Sequence, residues 1–244
     1  PGIGFPFAAA PLPSPFMRLP FFLVPCLAAL LSVGCTPLGP PTGISASSGG
    51  KVPVSALLRE IRLKVDMVPK GTHGRRVVRR MNPRYITIHS TQNWSKGADP
   101  WRRSLALKNS KLGKLSWHYT VDEKVAVQHL STTEQGRHAD YDGPGNHYSI
   151  GIEMCEHPGN SRAATTERTA KLAAWLMKEY DIPLSRVVPH YHWPRYGAHP
   201  ANKNCPHFLL DNGKPGRKWQ GFLAQVKSYN DSITLPQSNA WASR

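Results

Sequence analysis

The sequence predicts a single α/β domain, one mixed central β-sheet flanked by helices, and three observations lead there. Short runs with period-two apolar alternation are interleaved, in mixed order, with stretches of helical periodicity. No internal repeat marks the chain as an array. Hydrophobic residues make up 40% of the 244 positions, enough for one ordinary core and too many for a disordered or fibrous chain.

The elements follow in order over residues 54–230. Val54, Leu57, Leu58, Ile61 and Val65 recur at helical spacing with Arg59, Glu60, Arg62 and Lys64 between them, which predicts an amphipathic helix. A basic stretch containing Gly71 and Gly74 comes next. Tyr85–His89 reads as a strand with Ile86 and Ile88 on one face and His89 on the other. A helix is expected around Pro100–Lys111. Two strands, Trp117–Val121 and Val125–Leu130, follow on either side of a turn at Asp122-Glu123-Lys124. Ser149–Cys155 alternates again, with Ile150, Ile152 and Met154 together and Glu153 opposite them, beside the space left by Gly151. Thr165 or Thr166 can cap a helix bearing Leu172, Ala173, Leu176 and Tyr180 on its buried stripe and stopped by Pro183. Trp219, Phe222, Leu223, Val226 and Tyr229 form the stripe of a last helix. The polar segment 231–244 reads as a loose tail.

Lysine and arginine outnumber aspartate and glutamate by 31 to 15, giving a net charge of +16 and a pI near 10.0. A charge of that sign calls for an anionic partner: nucleic acid, a membrane surface or a wall polymer. The N-terminal region narrows the choice. Met17-Arg18, an apolar run from Phe21 to Val33 and Gly34-Cys35 have the layout of an export signal over residues 17–34. A run of 13 residues with Pro25 inside is too short to span a bilayer. Residues 1–16 precede a plausible start methionine and read as an over-extended frame. The string Leu31-Ser32-Val33-Gly34-Cys35 resembles a bacterial lipobox, which implies lipidation of Cys35; Ser32 stands where such signals usually carry leucine, so a plain secretory signal is the alternative. Cleavage before Cys35 leaves 210 residues and, with Arg18 the one charged residue removed, a net charge of +15. Residues 35–53, rich in Pro, Gly, Ser and Thr, read as a flexible tether. Thr36 stands where enterobacterial lipoproteins retained at the inner membrane usually carry aspartate. The expected location is therefore a lipid anchor in the outer membrane, facing the periplasm. Export argues against nucleic acid as a partner, as does the lack of a basic recognition helix.

The chemistry centres on histidine, of which the chain has 11. His89 and Glu153 close strands on their non-core faces. His190-Tyr191-His192-Trp193 and Lys203-Asn204-Cys205-Pro206-His207 follow. A thiolate and two imidazoles make a good zinc set with a fourth position left for water. A carboxylate can then take a proton and a lysine can stabilise an oxyanion. Spacing alone favours the plainer reading, surface histidines and a buried thiol, because no local Cys-x-x-Cys or His-Glu-x-x-His cluster gathers the ligands. Cys155 reads as a small buried residue.

Four segments occur in order: Tyr85-Ile86-Thr87-Ile88-His89-Ser90-Thr91, Ser116-Trp117-His118-Tyr119-Thr120-Val121-Asp122, Asn146 to Glu153, and Lys203 to His207. Together they resemble the zinc-dependent N-acetylmuramoyl-L-alanine amidases of the phage-lysozyme and peptidoglycan-recognition group, with particular likeness to the catalytic domains of Bacillus phage endolysins. A Glu-Ile-Arg-x-Lys opening (Glu60 to Lys64) and a Trp-x-x-Phe ending (Trp219 to Phe222) extend the resemblance to about residues 58–230. It implies zinc held by His89, His190 and Cys205, Glu153 as the base, Lys203 beside the oxyanion and His118 as a residue that contacts substrate. It also implies peptidoglycan or muropeptides as the partner. Fifteen positions separate His190 from Cys205 where the endolysin pattern has about eight. Pro194–Ala201 therefore reads as a loop insertion, and His192 and His199 stand as alternatives to His190. A peptidoglycan-binding module that does not cut is the competing function. Such members lack a zinc ligand, particularly the cysteine, whereas Cys205, His89 and Glu153 are all present here.

Overall fold

The computed structural model describes residues 51–234. The expected export signal, Cys35 and nearly all of the tether lie outside these residues, as does the tail beyond Thr234. Among the described residues no helix is long and apolar enough to cross a membrane.

In chain order the elements are β1 (Val52–Pro53), α1 (Val54–Ile61), β2 (Leu63–Val65), β3 (Tyr85–Ser90), α2 (Pro100–Lys108), β4 (Tyr119–Val121), β5 (Ala126–Gln128), α3 (Pro144–Tyr148), β6 (Ser149–Met154), α4 (Arg162–Glu179), β7 (Val187–Pro189), α5 (Arg217–Ser232) and β8 (Ile233–Thr234). Six strands make one sheet in the order β2-β5-β4-β6-β3-β7. β4 and β5 are antiparallel, joined by the turn whose Asp122 Oδ1 accepts from the Lys124 and Val125 amides. Every other pairing in that sheet is parallel, so the mixed α/β sheet expected from the sequence is what forms.

Period-two alternation decides which face is core. Ile86, Ile88, Ile150 and Ile152 are wholly buried and pack with Leu172, Ala173 and Leu176 of α4 and with Trp219, Phe222 and Val226 of α5. Each fully buried Leu or Ile contributes roughly 1.5–3 kcal/mol. The opposite face of the same strands carries Thr87, His89, Ser149, Gly151 and Glu153 and is left for the site.

Besides the unanticipated α3 and β7, three details differ from the sequence reading. The first helix ends at Ile61: Arg62 takes a left-handed conformation (φ 52°) and the chain enters β2, leaving Val65 exposed on a strand rather than on a helical stripe. Ile61, Leu63 and Val65 also alternate, and that shorter period wins once β5 offers a parallel partner. The fourth helix starts at Arg162, capped by the Ser161 hydroxyl, which accepts from the Ala164 amide, while Thr165 is buried and donates to Asn160. At the ends of the described chain, β1 pairs in parallel with β8. Val52–Pro53 and 231–234 thus belong to the ordered domain rather than to tether and tail.

Candidate active site and metal centre

The site sits at the carboxyl ends of three adjacent parallel strands, where α/β sheets commonly bind ligands. In the register of β3 and β6, His89 lies directly beside Glu153. Pro189 of β7 pairs with Ile88, so His190, the next residue, comes up beside His89 on the other side. The parallel register alone sets the three side chains in a row. Cys205 arrives from the loop beyond β7: its Sγ accepts from the Ser90 amide at 3.3 Å, and its carbonyl accepts from the Tyr191 amide at 3.1 Å. Ligand atoms of His89, His190 and Cys205 all lie within 4.8 Å of one another, and all three residues are buried.

The loop between His190 and Cys205 closes on itself. The Ala201 carbonyl accepts from the Arg195 amide at 3.0 Å, and the Asn202 amide group donates to the Tyr191 carbonyl at 2.8 Å. The additional residues therefore bulge outward without pulling the ligands apart. His190 joins the cluster, while His192 and His199 are exposed and outside it.

Hydrogen bonds fix the tautomers. The His190 Nε2–H donates to the Ala139 carbonyl at 2.8 Å, which leaves Nδ1 as a lone pair. The His138 Nε2–H donates to the Ser149 carbonyl at 3.3 Å, so its Nδ1 accepts from His89 Nε2–H at 3.0 Å. His89 Nδ1 is then also a lone pair, and it faces His190 Nδ1 at 2.9 Å. Two acceptors at that distance, with no proton to share, repel each other unless a cation lies between them. Burial, together with the neighbouring imidazoles and Lys203, holds His89 well below the usual histidine range; burial, then Lys203, brings His190 down to about 4. Both rings are neutral at physiological pH. Burial pushes the Cys205 thiol up to about 12, so a thiolate forms here only against a cation. The donor set fits a metal, and the hydrogen bonds through His138 to Ser149 and from His190 to Ala139 are the outer-shell supports that metal-binding imidazoles require.

Glu153 reaches within 4.0 Å of His89 Nδ1 through Oε1, while its Oε2 is buried with no hydrogen-bond partner. Burial raises its carboxyl to about 7, with Arg103 and Lys203 pulling the other way. Glu153, Lys203 and His190 line a cleft of about 390 Å³ together with His138, Leu115, Trp117 and Tyr141.

His118 does not contact that cleft. It is wholly buried, its Nδ1 accepts from the Gly151 amide at 2.9 Å, and its Nε2–H donates to the Glu134 carbonyl at 2.8 Å. Both ring nitrogens are used in tying β4 to β6 and to the loop behind the site, which corrects the expectation that this residue touches substrate. His138 is the residue the sequence reading missed. It lies in no regular element, and its position is set by Asn146, whose Oδ1 accepts from the His138 and Ala139 amides at 2.8 Å each. Gly151 was the available signal: a Cβ there would come within 2.8 Å of the His138 ring, so the space beside Glu153 is where that ring lies.

The fold and site define an α/β protein with a two-histidine, one-cysteine metal-type centre flanked by a carboxylate and an ammonium group. Residues 79–208 match the family model Amidase_2, N-acetylmuramoyl-L-alanine amidase, and the chain belongs to that family. It is 39% identical over 170 residues to N-acetylmuramoyl-L-alanine amidase CwlH of Bacillus subtilis strain 168, covering 69% of this chain and 62% of that protein. It is 40% identical over 162 residues to N-acetylmuramoyl-L-alanine amidase XlyA of the same organism, covering 66% of this chain and 50% of the relative. The chain thus matches between half and two thirds of the length of these curated relatives. Among solved structures, a mutant endolysin from Bacillus subtilis aligns with a TM-score of 0.60 at 39% identity, covering 68% of this chain and 99% of that one.

Proposed function

We propose that this protein hydrolyses the amide between N-acetylmuramic acid and L-alanine in peptidoglycan, with zinc held by His89, His190 and Cys205. The observation that carries the reading is the pair of opposed Nδ1 lone pairs of His89 and His190, 2.9 Å apart beside the buried Cys205 thiol and an unpartnered Glu153 oxygen. Zinc, when bound, supplies a Lewis acid for the scissile carbonyl and a lower pKa for water. The remaining chemistry falls to the chain. Glu153, held near neutrality in its acidity, takes a proton from water and delivers it to the leaving amine nitrogen. Lys203 places its ammonium beside the oxygen that gains charge as the carbonyl becomes tetrahedral. The buried imidazoles stay neutral and oriented because their far nitrogens are bonded.

Incubating sacculi with zinc-loaded and chelator-treated protein, and following free stem peptide by mass spectrometry, tests this directly. Release is expected from the loaded protein and is lost on chelation. Binding to sacculi without release would favour the non-cutting module instead.

The same proposal places the enzyme at a membrane through a lipid on Cys35, with peptidoglycan or muropeptides as its partner. Several acyl chains together give stable anchoring where one is marginal. Cys35→Ala is expected to shift the protein into the soluble fraction or to leave the signal uncleaved; fractionation identical to the unsubstituted protein would refute the anchor.

A further inference from the structure

Glu156 takes no part in the chemistry above, yet its side chain is only 2% exposed and both of its oxygens are bonded. Oε1 accepts from the Gln92 amide at 3.0 Å, and Oε2 accepts from the His207 Nε2–H at 2.6 Å. The positions of these partners in the chain give the pair its meaning. Gln92 comes three residues after His89, just past the end of β3, where the backbone turns in the left-handed region (φ 45°). His207 comes two residues after Cys205 and opens a short 3-10 turn that buries Leu209. Glu156 itself comes three residues after Glu153, just past the end of β6. One carboxylate thus joins the segments that carry a candidate ligand imidazole, the thiol and the base.

The neighbouring bonds are weaker holds. Gln92 Nε2 donates to the Asn204 carbonyl at 3.1 Å at the surface, where water competes for both groups. The Ser90 amide meets Cys205 Sγ at 3.3 Å, but sulfur is a weak acceptor. His89 and His190 are set by strand register, whereas Cys205 lies in a loop, so bonds of another kind have to place it. A buried carboxylate adds little net stability even when it is fully paired. Its two directional bonds instead fix distances, and metal ligands have to stand within about 0.2 Å of their proper lengths.

We propose that Glu156 is the positioning residue of the metal centre, holding the Cys205 loop against the end of β3 through His207 and Gln92 so that the thiol stays within reach of the His89 and His190 imidazoles. The inference rests on the zinc reading given above. It gives Glu156 no contact with substrate and no proton to move. Removing either end of the clamp frees the loop. Without the Glu156 carboxylate, Gln92 and His207 lose their common partner; without the His207 ring, the carboxylate stays tied to β3 alone. Glutamine at position 207 keeps the clamp, because its side-chain Nε2 can donate to Oε2 as the imidazole Nε2–H does.

The test is zinc affinity, measured on metal-free protein by competition with a chromophoric chelator, for the unsubstituted protein, E156A, H207A and H207Q. E156A and H207A are expected to bind zinc about 10–100-fold more weakly, and H207Q nearly as tightly as the unsubstituted protein. Cobalt substitution adds a second readout: the thiolate-to-cobalt charge-transfer absorption is expected to fade in E156A and H207A and to persist in H207Q. Circular dichroism checks folding; should E156A not fold, H207A decides the matter, since that side chain is 30% exposed. A residue that merely stabilised the fold would lower the urea midpoint and leave the zinc affinity of the folded variants alone. Zinc affinity unchanged in the folded variants, or lost equally in H207A and H207Q, would overturn the proposal. An unsubstituted protein that binds no zinc refutes the zinc reading, and this inference falls with it. Clamp-dependent affinity in a protein that releases nothing from sacculi leaves the inference standing and refutes the hydrolase reading alone.

Discussion

Glu153 combines burial, an Oε2 with no hydrogen-bond partner and a neutral imidazole 4.0 Å away, and each of these opposes ionisation. Its carboxyl, raised to about 7 chiefly by burial, stays protonated in the metal-free fold at pH values where the unfolded chain has already ionised. The sign follows: the fold binds more protons than the unfolded chain between about 4.5 and 7, so this group takes stability away as pH rises through that window. Glu153→Gln removes the effect. Metal-free E153Q is therefore expected to be more stable than the unsubstituted protein at pH 8 by of order 1–3 kcal/mol, with the gap closing near pH 4.5, as read by urea unfolding. The same substitution should lower hydrolysis by about 10²–10⁴-fold, the usual worth of a positioned base. Loss of activity without the stability gain would mean that the carboxylate is compensated in the fold. Cys205→Ser tests the metal set at the same scale. A hydroxyl does not become an anionic soft ligand, so zinc retained after dialysis, measured by elemental analysis, should fall to near background while the zinc-free fold persists.

Between residues, the register of strands does most of the positioning, and this determines what could be read from the sequence. His89 and Glu153 stood on the non-core faces of strands whose isoleucines alternate, so period alone placed them correctly. Cys205 and His190 were harder, because a loop of self-bonded residues separates them and only a parallel β7 next to β3 brings them together. His138 was invisible to periodicity, since its place is set by Asn146 and by a vacancy at Gly151. His118 misled for the opposite reason: a histidine in a strand beside the site has the right neighbours in sequence, but its side chain points into backbone donors and acceptors. The boundary at 61–65 has a plain cause. Local spacing at 61–65 supported two periods, and the partner strand chose between them. An element-scale prediction follows from Gly151. Gly151→Ala would put a methyl 2.8 Å from the His138 ring, in the middle of β6, where neither the strand nor the ring has room to yield. The expected cost is roughly 1–3 kcal/mol, typical of overpacking, together with weaker zinc retention, because His138 is what holds the His89 ring in its tautomer. Unchanged denaturation midpoint and zinc content would show that His138 relocates freely and supports nothing.

Over the whole molecule, one accumulation of charge chemistry dominates the response to acid. His89, His118, His129, His138 and His190 are all buried, and burial depresses each of them: His118, His129 and His190 to about 4, and His89 and His138 well below the usual histidine range. In the unfolded chain each would titrate near 6.5. Depressed bases give stability that is present above the unfolded value and lost as pH falls, because only the unfolded chain takes up the protons. At its limit the slope is about 1.4 kcal/mol per pH unit for each histidine, or about 7 for five. Glu153 works against this in the same window, but it is one group against five. A domain of this kind carries a total stability of about 5–15 kcal/mol, so this limiting slope is comparable to the whole stability over one or two pH units. The metal-free protein is accordingly expected to lose stability steeply between pH 6.5 and 4, with several protons taken up per molecule on unfolding, and E153Q to lose it more steeply still because the opposing group is gone. Zinc should raise the plateau at neutral pH through its preference for the folded chain. Urea unfolding of metal-free protein across a pH series gives the slope directly. A free energy that stays level from pH 6.5 to 5 would mean that these rings are charged or solvated in the fold, and the tautomer assignments from which the metal site is built would fall with it.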